Sequence, residues 1–221
     1  MKPIHKRDTI IFDMDGTLVD SAEFIIKCTK EMLEKMELPP CEIEDLHFIV
    51  GPPLSHTFVN SFNIPEARLD EALNIYRELY EAREKTPEFL FSSIDQMLSF
   101  LKSAGKTLAV ATSKKETSAR HDLKQLGIDT YFDFVAGLDE EVGRNSKAKV
   151  ILHAMEQLGT DPEDAVMVGD RHFDVDGATE AGIPCIGVLY GYGDRDELLA
   201  AKAKVILKKP KDVVAYFLNS K

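Results

Sequence analysis

Residues 9–20 read Thr9-Ile-Ile-Phe-Asp13-Met-Asp15-Gly16-Thr-Leu-Val-Asp20. The opening residues are apolar or β-branched and carry no charge before Asp13, which predicts a buried strand over Thr9–Asp13. Two carboxylates, Asp13 and Asp15, stand two residues apart and project to the same side if the strand continues. Gly16 permits a tight loop whose N–H groups can face an anion. The end of this strand is therefore the first candidate for chemistry.

Two other interpretations fit an Asp-x-Asp-Gly pattern. One is an ordinary solvated turn, which the four residues alone do not exclude. The other is a calcium-binding EF-hand loop, which is disfavoured because the pattern follows an apolar strand. Counting from Asp13, the twelfth position is Phe24, where an EF-hand needs a bidentate Glu.

Apolar strand patterns alternate with helical patterns through the rest of the chain. The further predicted strands are Thr107–Ala111, Phe132–Ala136, Ala165–Val168, Pro184–Val188 and Lys204–Leu207. Helices are predicted over Glu116–Leu126 and Lys147–Leu158, and a glycine follows each of them. This alternation predicts an α/β fold, with a Rossmann-like parallel sheet and helices on both of its faces.

The connection between the first two strands is too long for a single crossover, at about 90 residues. Helical patterns fill it, over Ser21–Met36, Glu42–Phe62 and Pro65–Lys85. We therefore predict a helical cap over residues 21–88, inserted after the first strand of a catalytic core made of residues 1–20 and 89–221. Its hinges are expected near residues 19–21 and 87–93.

Two more groups of polar residues lie where predicted strands end, and a third lies in a loop on the same edge of the sheet. Asp170 and Asp174 follow the fourth strand in a Gly-Asp-Arg-His-Phe-Asp run, and Thr112 and Ser113 end the second strand. Each has a structural alternative, since Asp and Ser are common helix N-caps, and for Ser113 alone an N-cap is the favoured interpretation.

The remaining group is basic and precedes the fourth strand. It consists of Arg144, Lys147 and Lys149. Taken singly, such residues are usually solvated.

The shared placement of these groups points to a common site. In open α/β sheets, ligands bind at the carboxyl ends of the strands, where the winding direction reverses. If the first strand is central, Asp13 and Asp170 face each other there. Several close carboxylates need a cation among them, and oxygen ligands favour a hard ion, most simply Mg²⁺. A lysine and hydroxyl groups opposite the metal suit a phosphoryl group.

The composition of the chain limits the classes of partner that it is expected to bind. The chain has 27 basic and 38 acidic residues among 221, a formal charge of −11, which disfavours nucleic acid as a partner. No apolar run approaches the roughly 20 residues that cross a bilayer, so no membrane partner is expected. Three cysteines leave one unpaired, and the N-terminus lacks a secretory pattern, which favours a cytoplasmic protein. The sequence carries no signal for an oligomeric state.

The combined motifs resemble the haloacid dehalogenase superfamily of aspartyl-phosphate phosphatases. The run from Asp13 to Ser21 matches the family's D-x-D-G-T-L-x-D-S nearly letter for letter, and the cap follows it as in that family. Thr112 with Ser113 matches the second motif, and residues 169–174 match the fourth. The third motif departs from the common K-P-x-P. Lys147 resembles its lysine in phosphoglycolate-phosphatase-like members.

Arg144 and Lys149 stay open as substitutes for Lys147 in this third motif.

The resemblance implies a role for each acidic residue. Asp13 would be the nucleophile and a metal ligand, and Asp15 the general acid and base. The backbone carbonyl of Asp15 would also bind the metal. Asp170 would bind Mg²⁺ directly, and Asp174 directly or through water.

It also implies that Thr112, the Ser113 N–H and Lys147 bind the phosphoryl oxygens. The expected activity is Mg²⁺-dependent hydrolysis of a small phosphorylated metabolite, such as phosphoglycolate or a nucleoside monophosphate.

Two alternatives remain beside this phosphatase. A phosphomutase resembling β-phosphoglucomutase shares all four motifs, but it needs a cap cation for the distal phosphate, and the cap loop over residues 47–55 has no Lys or Arg. A non-catalytic binding module is disfavoured because every motif acid is intact. A dehalogenase is disfavoured because relatives with that activity typically lack the second aspartate, here Asp15.

Overall fold

The structure is a computed structural model that describes residues 2–40 and 49–218. These residues form one parallel sheet with the strands β1 (Thr9–Phe12), β2 (Thr107–Lys115), β3 (Phe134–Leu138), β4 (Ala165–Gly169), β5 (Cys185–Val188) and β6 (Val205–Leu207). The strand order is β3-β2-β1-β4-β5-β6. The first strand is therefore central, and the winding direction reverses beside it, as the site prediction requires.

Helices cover both faces of the sheet, which confirms the predicted fold class. They are α4 (Ile94–Ser103), α5 (Glu116–Gln125), α6 (Lys147–Leu158), α7 (His172–Glu180), α8 (Arg195–Ala200) and α9 (Pro210–Leu218), numbered after three cap helices given below. Successive residues of β1 point to opposite faces. Ile10 and Phe12 join the apolar cluster under α4, α5 and α9, and Ile11 joins the cluster under α6, α7 and α8.

The second strand is longer than predicted. It continues past Ala111 to Lys115, because Lys115 still pairs with Leu138 of β3 after an irregularity in the register. The residue that caps α5 is consequently Lys115. The expectation that Ser113 is a helix N-cap is therefore wrong.

The cap consists of α1 (Ala22–Lys35), α2 (Leu54–Asn60) and α3 (Leu69–Glu81). It has its own apolar cluster, which includes Met32, Phe58 and Tyr76. The predicted helix over Pro65–Lys85 is shorter in the structure, because Glu66–Arg68 forms a 3-10 turn before α3 begins. The predicted helical set over 42–62 is described only in part, since residues 41–48 lie outside the described residues.

The two connections between cap and core lie side by side. Val19 forms an antiparallel bridge with Leu90, and the Asp20 N–H donates to the Phe89 carbonyl at 2.7 Å. The Tyr192 hydroxyl donates to Asp20 Oδ1 at 2.7 Å and so ties this ribbon to the core. The predicted domain boundaries stay a prediction, and this ribbon is where they would fall.

Two cysteines, Cys28 and Cys185, are buried free thiols. Cys41 lies outside the described residues. Within the part of the chain that the structure describes, no helix is both long enough and apolar enough to cross a membrane.

Candidate active site

The loop after β1 turns tightly around one backbone carbonyl. The carbonyl of Met14 accepts from the N–H groups of Leu18 at 2.8 Å and Val19 at 3.0 Å. Gly16 has a φ of +93°, and a Cβ at this position would collide with the carboxylate of Asp170. The positive φ and the close carboxylate together require glycine. This turn brings the β1 loop against the residues that follow β4.

Three buried carboxylates meet at this edge of the sheet. Asp13, Asp170 and Asp174 each offer an oxygen, and these oxygens all lie within 4.8 Å of one another. Asp170 is held by the Thr17 hydroxyl at 3.1 Å and the Tyr192 N–H at 2.8 Å. Asp174 lies in the first turn of α7. The side chains predicted from strands that are far apart in sequence thus form one group.

Asp174 also caps its own helix. Its Oδ2 accepts from the N–H of Arg171, the N-cap residue of α7, at 3.0 Å. Asp174 therefore both caps a helix and belongs to the carboxylate group. Asp170 does not cap this helix.

Lys147 is the basic residue of the third motif that reaches these acids. Its Nζ lies 2.6 Å from Asp13 Oδ1 and 2.9 Å from Asp174 Oδ1. Arg144 instead donates to Glu116 at 2.7 Å, and exposed Lys149 donates to the Gly143 carbonyl at 2.9 Å. The geometry therefore favours Lys147 over the two substitutes that the sequence left open.

One ammonium group faces three buried carboxylates. Burial raises the pKa of Asp13 well above its usual range, against the attraction of Lys147, and neighbouring Asp174 and Asp170 raise it further. Burial and Asp174 raise the pKa of Asp170 to about 7. Although burial opposes it, the carboxylates of Asp13 and Asp174 raise the pKa of Lys147. One lysine therefore cannot balance the negative charge of these three carboxylates.

This donor set fits a hard divalent cation. Its ligands are carboxylate oxygens, which Mg²⁺ prefers. Among the described residues no hydrogen bond reaches Asp13 Oδ2, so that oxygen is available to a metal or a substrate. The side chain of Asp15 is not in the group, so only its backbone carbonyl remains as the predicted ligand.

A cavity of about 290 Å³ opens above the carboxylates, between core and cap. Asp13, Asp15, Thr112 and Ser113 line its core side. Thr112 is buried, and its hydroxyl accepts from the Lys114 N–H at 3.2 Å. All seven predicted site residues thus belong to one connected site, because Lys147, Asp170 and Asp174 join the cavity through Asp13.

Three cations at this cavity, Lys114, the exposed Lys115 and Arg77, were not predicted from the sequence. Lys114 directly follows the second motif and contacts Asp15 at 3.3 Å. Arg77 comes from the cap helix α3 and lines the cavity. Leu73, Tyr76 and Tyr80 of the same helix also line it, and the i, i+3, i+4, i+7 spacing counted from Leu73 is the signal in the sequence that identifies this face.

Comparison with known proteins agrees with this geometry. The family model for haloacid dehalogenase-like hydrolases matches residues 10–188. A 5′-nucleotidase from Pseudomonas aeruginosa is 36% identical over 191 residues, covering 86% of each chain. The crystal structure of a predicted phosphatase from Clostridium acetobutylicum superposes with a TM-score of 0.89 at 35% identity. It covers 97% of this chain and 99% of that one.

A third relative is longer than this chain. The protein named tyrosine-protein kinase PtkA from Mycobacterium tuberculosis is 42% identical over 187 residues, which are 85% of this chain and 64% of that protein. The chain thus spans less than two thirds of the length of this relative. The family resemblance of the motifs is confirmed by the model match and by these relatives: this chain belongs to the haloacid dehalogenase-like hydrolase family.

Proposed function

We propose that this protein is a Mg²⁺-dependent phosphatase that hydrolyses small phosphomonoesters through an aspartyl-phosphate intermediate. The observation that carries the proposal is the buried group of Asp13, Asp170 and Asp174, with Lys147 in contact and a cavity above it. An oxygen-only metal site beside a carboxylate with a free oxygen is what phosphoryl transfer to an aspartate requires.

The side chains then divide the reaction between them. An oxygen of Asp13 attacks phosphorus while the bond to the leaving oxygen breaks, and Asp15 gives that oxygen a proton. Asp15 next takes a proton from the water that hydrolyses the acyl phosphate and restores the Asp13 carboxylate. Lys147, Thr112 and the Ser113 N–H hold the phosphoryl oxygens and offset their charge.

The carboxylates of Asp13, Asp170 and Asp174 would hold Mg²⁺, together with the backbone carbonyl of Asp15. When bound, the ion supplies positive charge that stabilises the phosphoryl oxygens in the transition state. Phosphate-monoester hydrolysis is among the slowest uncatalysed reactions, with enhancements up to about 10²¹-fold, so these contributions must act together.

Mg²⁺ should raise the thermal stability of the protein. At about 100 times its Kd it should stabilise the folded state by about 2.7 kcal/mol, which raises Tm by about 5–10 °C for a chain of this size. Asp170→Asn should remove most of that shift, because it removes a ligand and a charge. The measurement is a thermal melt with Mg²⁺ and with EDTA.

The matched control for this melt is Asp129→Asn, since Asp129 is exposed and outside the site. It should keep the full shift. Equal shifts in the wild type and both variants would mean that the metal binds elsewhere.

The cavity supports a small, anionic leaving group. Ile49, Leu54 and Leu73 form apolar cap walls, and the cap cation Arg77 lines the same space. Arg77 is half-buried and makes no hydrogen bond or ion pair among the described residues. It would bind a second anionic group, as in the carboxylate of phosphoglycolate. Because the relative from Pseudomonas is named a 5′-nucleotidase, nucleoside monophosphates belong in the same test.

The test measures phosphate release from phosphoglycolate, 2-hydroxyethyl phosphate and a nucleoside monophosphate. It addresses both the phosphatase activity and the preference for an anionic leaving group. We expect Mg²⁺-dependent release, with kcat/KM for phosphoglycolate about tenfold above that for its uncharged analogue, the effect of one charge pair of about 1.4 kcal/mol. Arg77→Gln should bring the two values together. Arg68→Gln should not, since Arg68 pairs with Glu71 elsewhere on the cap.

Three outcomes would contradict the proposal in different ways. Equal wild-type rates on the charged and uncharged esters would remove the role of Arg77. Conversion of β-glucose 1-phosphate to glucose 6-phosphate faster than phosphate release would favour the phosphomutase, since Arg77 provides the cap cation that the loop over 47–55 lacks. Stable transfer of phosphate from ATP to tyrosine would favour the activity named for the PtkA relative.

A further inference from the structure

Lys114 joins the core to the cap at the rim of the active site. Its ammonium lies 2.6 Å from the Tyr80 hydroxyl of cap helix α3 and 2.8 Å from Asp122 Oδ2 of core helix α5. The same ammonium lies 3.3 Å from both carboxylate oxygens of Asp15. Among the described residues, Lys114 is the hydrogen-bond donor that reaches the Asp15 side chain. A single cation thus contacts the acid–base residue, the core and the cap.

The other side of this contact is fixed by a second lysine. Lys85, in the segment that leads from the cap back to the core, lies 3.2 Å from Asp122 Oδ1. It also donates to the backbone carbonyls of Tyr80 at 3.1 Å and Arg83 at 3.2 Å. Asp122 is buried, and the ammonium groups of Lys85 and Lys114 both pair with its carboxylate. Together with Asp15 the cluster has two negative and two positive charges.

The ring of Tyr80 contacts both lysines. The Nζ atoms of Lys85 and Lys114 lie 4.3 Å and 4.4 Å from its centroid, which are cation–π distances. Its hydroxyl donates to Asp122 Oδ2 at 3.2 Å while it accepts from Lys114. Burial, with the carboxylates of Asp15 and Asp122, raises the pKa of Tyr80 well above its usual range, so the hydroxyl keeps its proton as a donor.

We propose that Lys114 is a positioning residue for Asp15, and that the cap completes this arrangement through the Tyr80 hydroxyl. The proposal rests on the proposed function, in which Asp15 exchanges protons with the leaving group and the attacking water. An ammonium held by Asp122 and Tyr80 has few orientations, so the carboxylate that it contacts is also restricted. Proton transfer by Asp15 then depends on a cap that is seated over the cavity.

Two other roles for Lys114 predict different kinetics. Lys114 also lines the cavity, so it could bind substrate directly. In that case its loss would raise KM. If it only fastened the cap to the core, its loss would reduce activity whether or not Asp15 were present. A positioning residue acts through Asp15, so its effect disappears when Asp15 cannot transfer a proton.

The experiment measures phosphate release from phosphoglycolate, an ester whose alkoxide leaving group needs a proton, with saturating Mg²⁺ in two backgrounds, wild type and Asp15→Asn. In the wild type, Lys114→Met should lower kcat by roughly 10- to 100-fold, as expected for the loss of a charged hydrogen bond, with KM changed less than about threefold. In Asp15→Asn the same substitution should lower kcat less than about twofold. Lys114→Arg, which keeps the charge, should recover most of the loss.

Tyr80→Phe tests the contribution of the cap. It removes the hydroxyl and keeps the ring, and it should lower kcat about three- to tenfold in the wild type. In Lys114→Met it should add little, because the hydroxyl acts through the lysine. Asp122 keeps Lys85 when Lys114 is removed, so the variants should fold. If Lys114→Met does not melt cooperatively, Tyr80→Phe replaces it as the test variant and is measured in the wild type and in Asp15→Asn.

The matched control is Lys102→Met, which removes a lysine paired with Asp133 outside the site and should leave kcat unchanged. Losses that multiply in Asp15→Asn, a raised KM with unchanged kcat, or unchanged or faster turnover in Lys114→Met would each overturn the positioning role. If the wild type itself releases no phosphate, the proposed function fails and this proposal fails with it. If the wild type is active and the losses multiply, only the positioning role fails.

Discussion

Asp13→Asn should abolish turnover, lowering kcat by more than about 10⁴-fold, in the range found when an enzyme loses its nucleophile. An amide cannot form the acyl phosphate on which the proposed reaction depends. The fold should be nearly unaffected or slightly stabilised, because the substitution removes one of three crowded carboxylates while Lys147 keeps Asp174 at 2.9 Å. Phosphate release and a thermal melt on the same preparation measure both effects.

The control for this substitution is the exposed Asp129→Asn, which should retain full activity. Mass spectrometry must exclude deamidation of the new asparagine, since deamidation would restore Asp13. Activity above about 1% of wild type in verified Asp13→Asn, a loss of less than about 3 kcal/mol in transition-state stabilisation, would contradict the nucleophile role.

The core and its metal-binding acids were accessible from sequence because they follow from strand topology. The βαβ pattern requires a parallel sheet, and the carboxyl ends of parallel strands share one edge. Asp13 and Asp170 end neighbouring strands of that sheet, β1 and β4. The proximity of Asp13 and Asp170 could therefore be inferred once β1 was predicted to be the central strand.

The choice among the basic residues depended on where one helix begins. Lys147 is the first residue of α6, and Ser146 is its N-cap and accepts from the Lys149 N–H at 3.4 Å. Residues two apart on a helix do not face the same way. Lys147 therefore points to the acids and Lys149 to solvent, but a shift of one residue in the helix start would have changed that assignment.

The contacts of the cap were not accessible from sequence. Lys114, Tyr80 and Asp122 lie on three separate elements, and each taken alone is an ordinary surface or core residue. Their meeting depends on how α3 docks against the core, which no local pattern encodes. For Arg77, the helical spacing of α3 identifies the face that carries it but not which part of the core that face meets. The loop used to weigh the phosphomutase begins at His47 and Phe48, outside the described residues.

Lys147→Met should cost both turnover and stability. The ammonium that offsets charge on the transferring phosphoryl group is lost, so kcat/KM should fall by about 10²- to 10³-fold. Without metal, the variant leaves Asp13, Asp170 and Asp174 buried with no cation, a change that costs about 3–5 kcal/mol when one partner of a buried pair is removed. For a chain of this size, that lowers Tm by about 6–20 °C in EDTA.

Lys149→Met is a closely matched control, because it removes the same side chain two residues away on the same helix. Its ammonium contacts only Gly143 and Asn145 among the described residues, so activity and Tm should stay near wild type. Mg²⁺ should restore Lys147→Met more in stability than in turnover, because the ion replaces the missing charge among the carboxylates but not the donor to the phosphoryl oxygens. Equal losses in the two variants would contradict the assignment of Lys147. Full recovery of turnover by Mg²⁺ would reduce its role to charge balance within the acidic group.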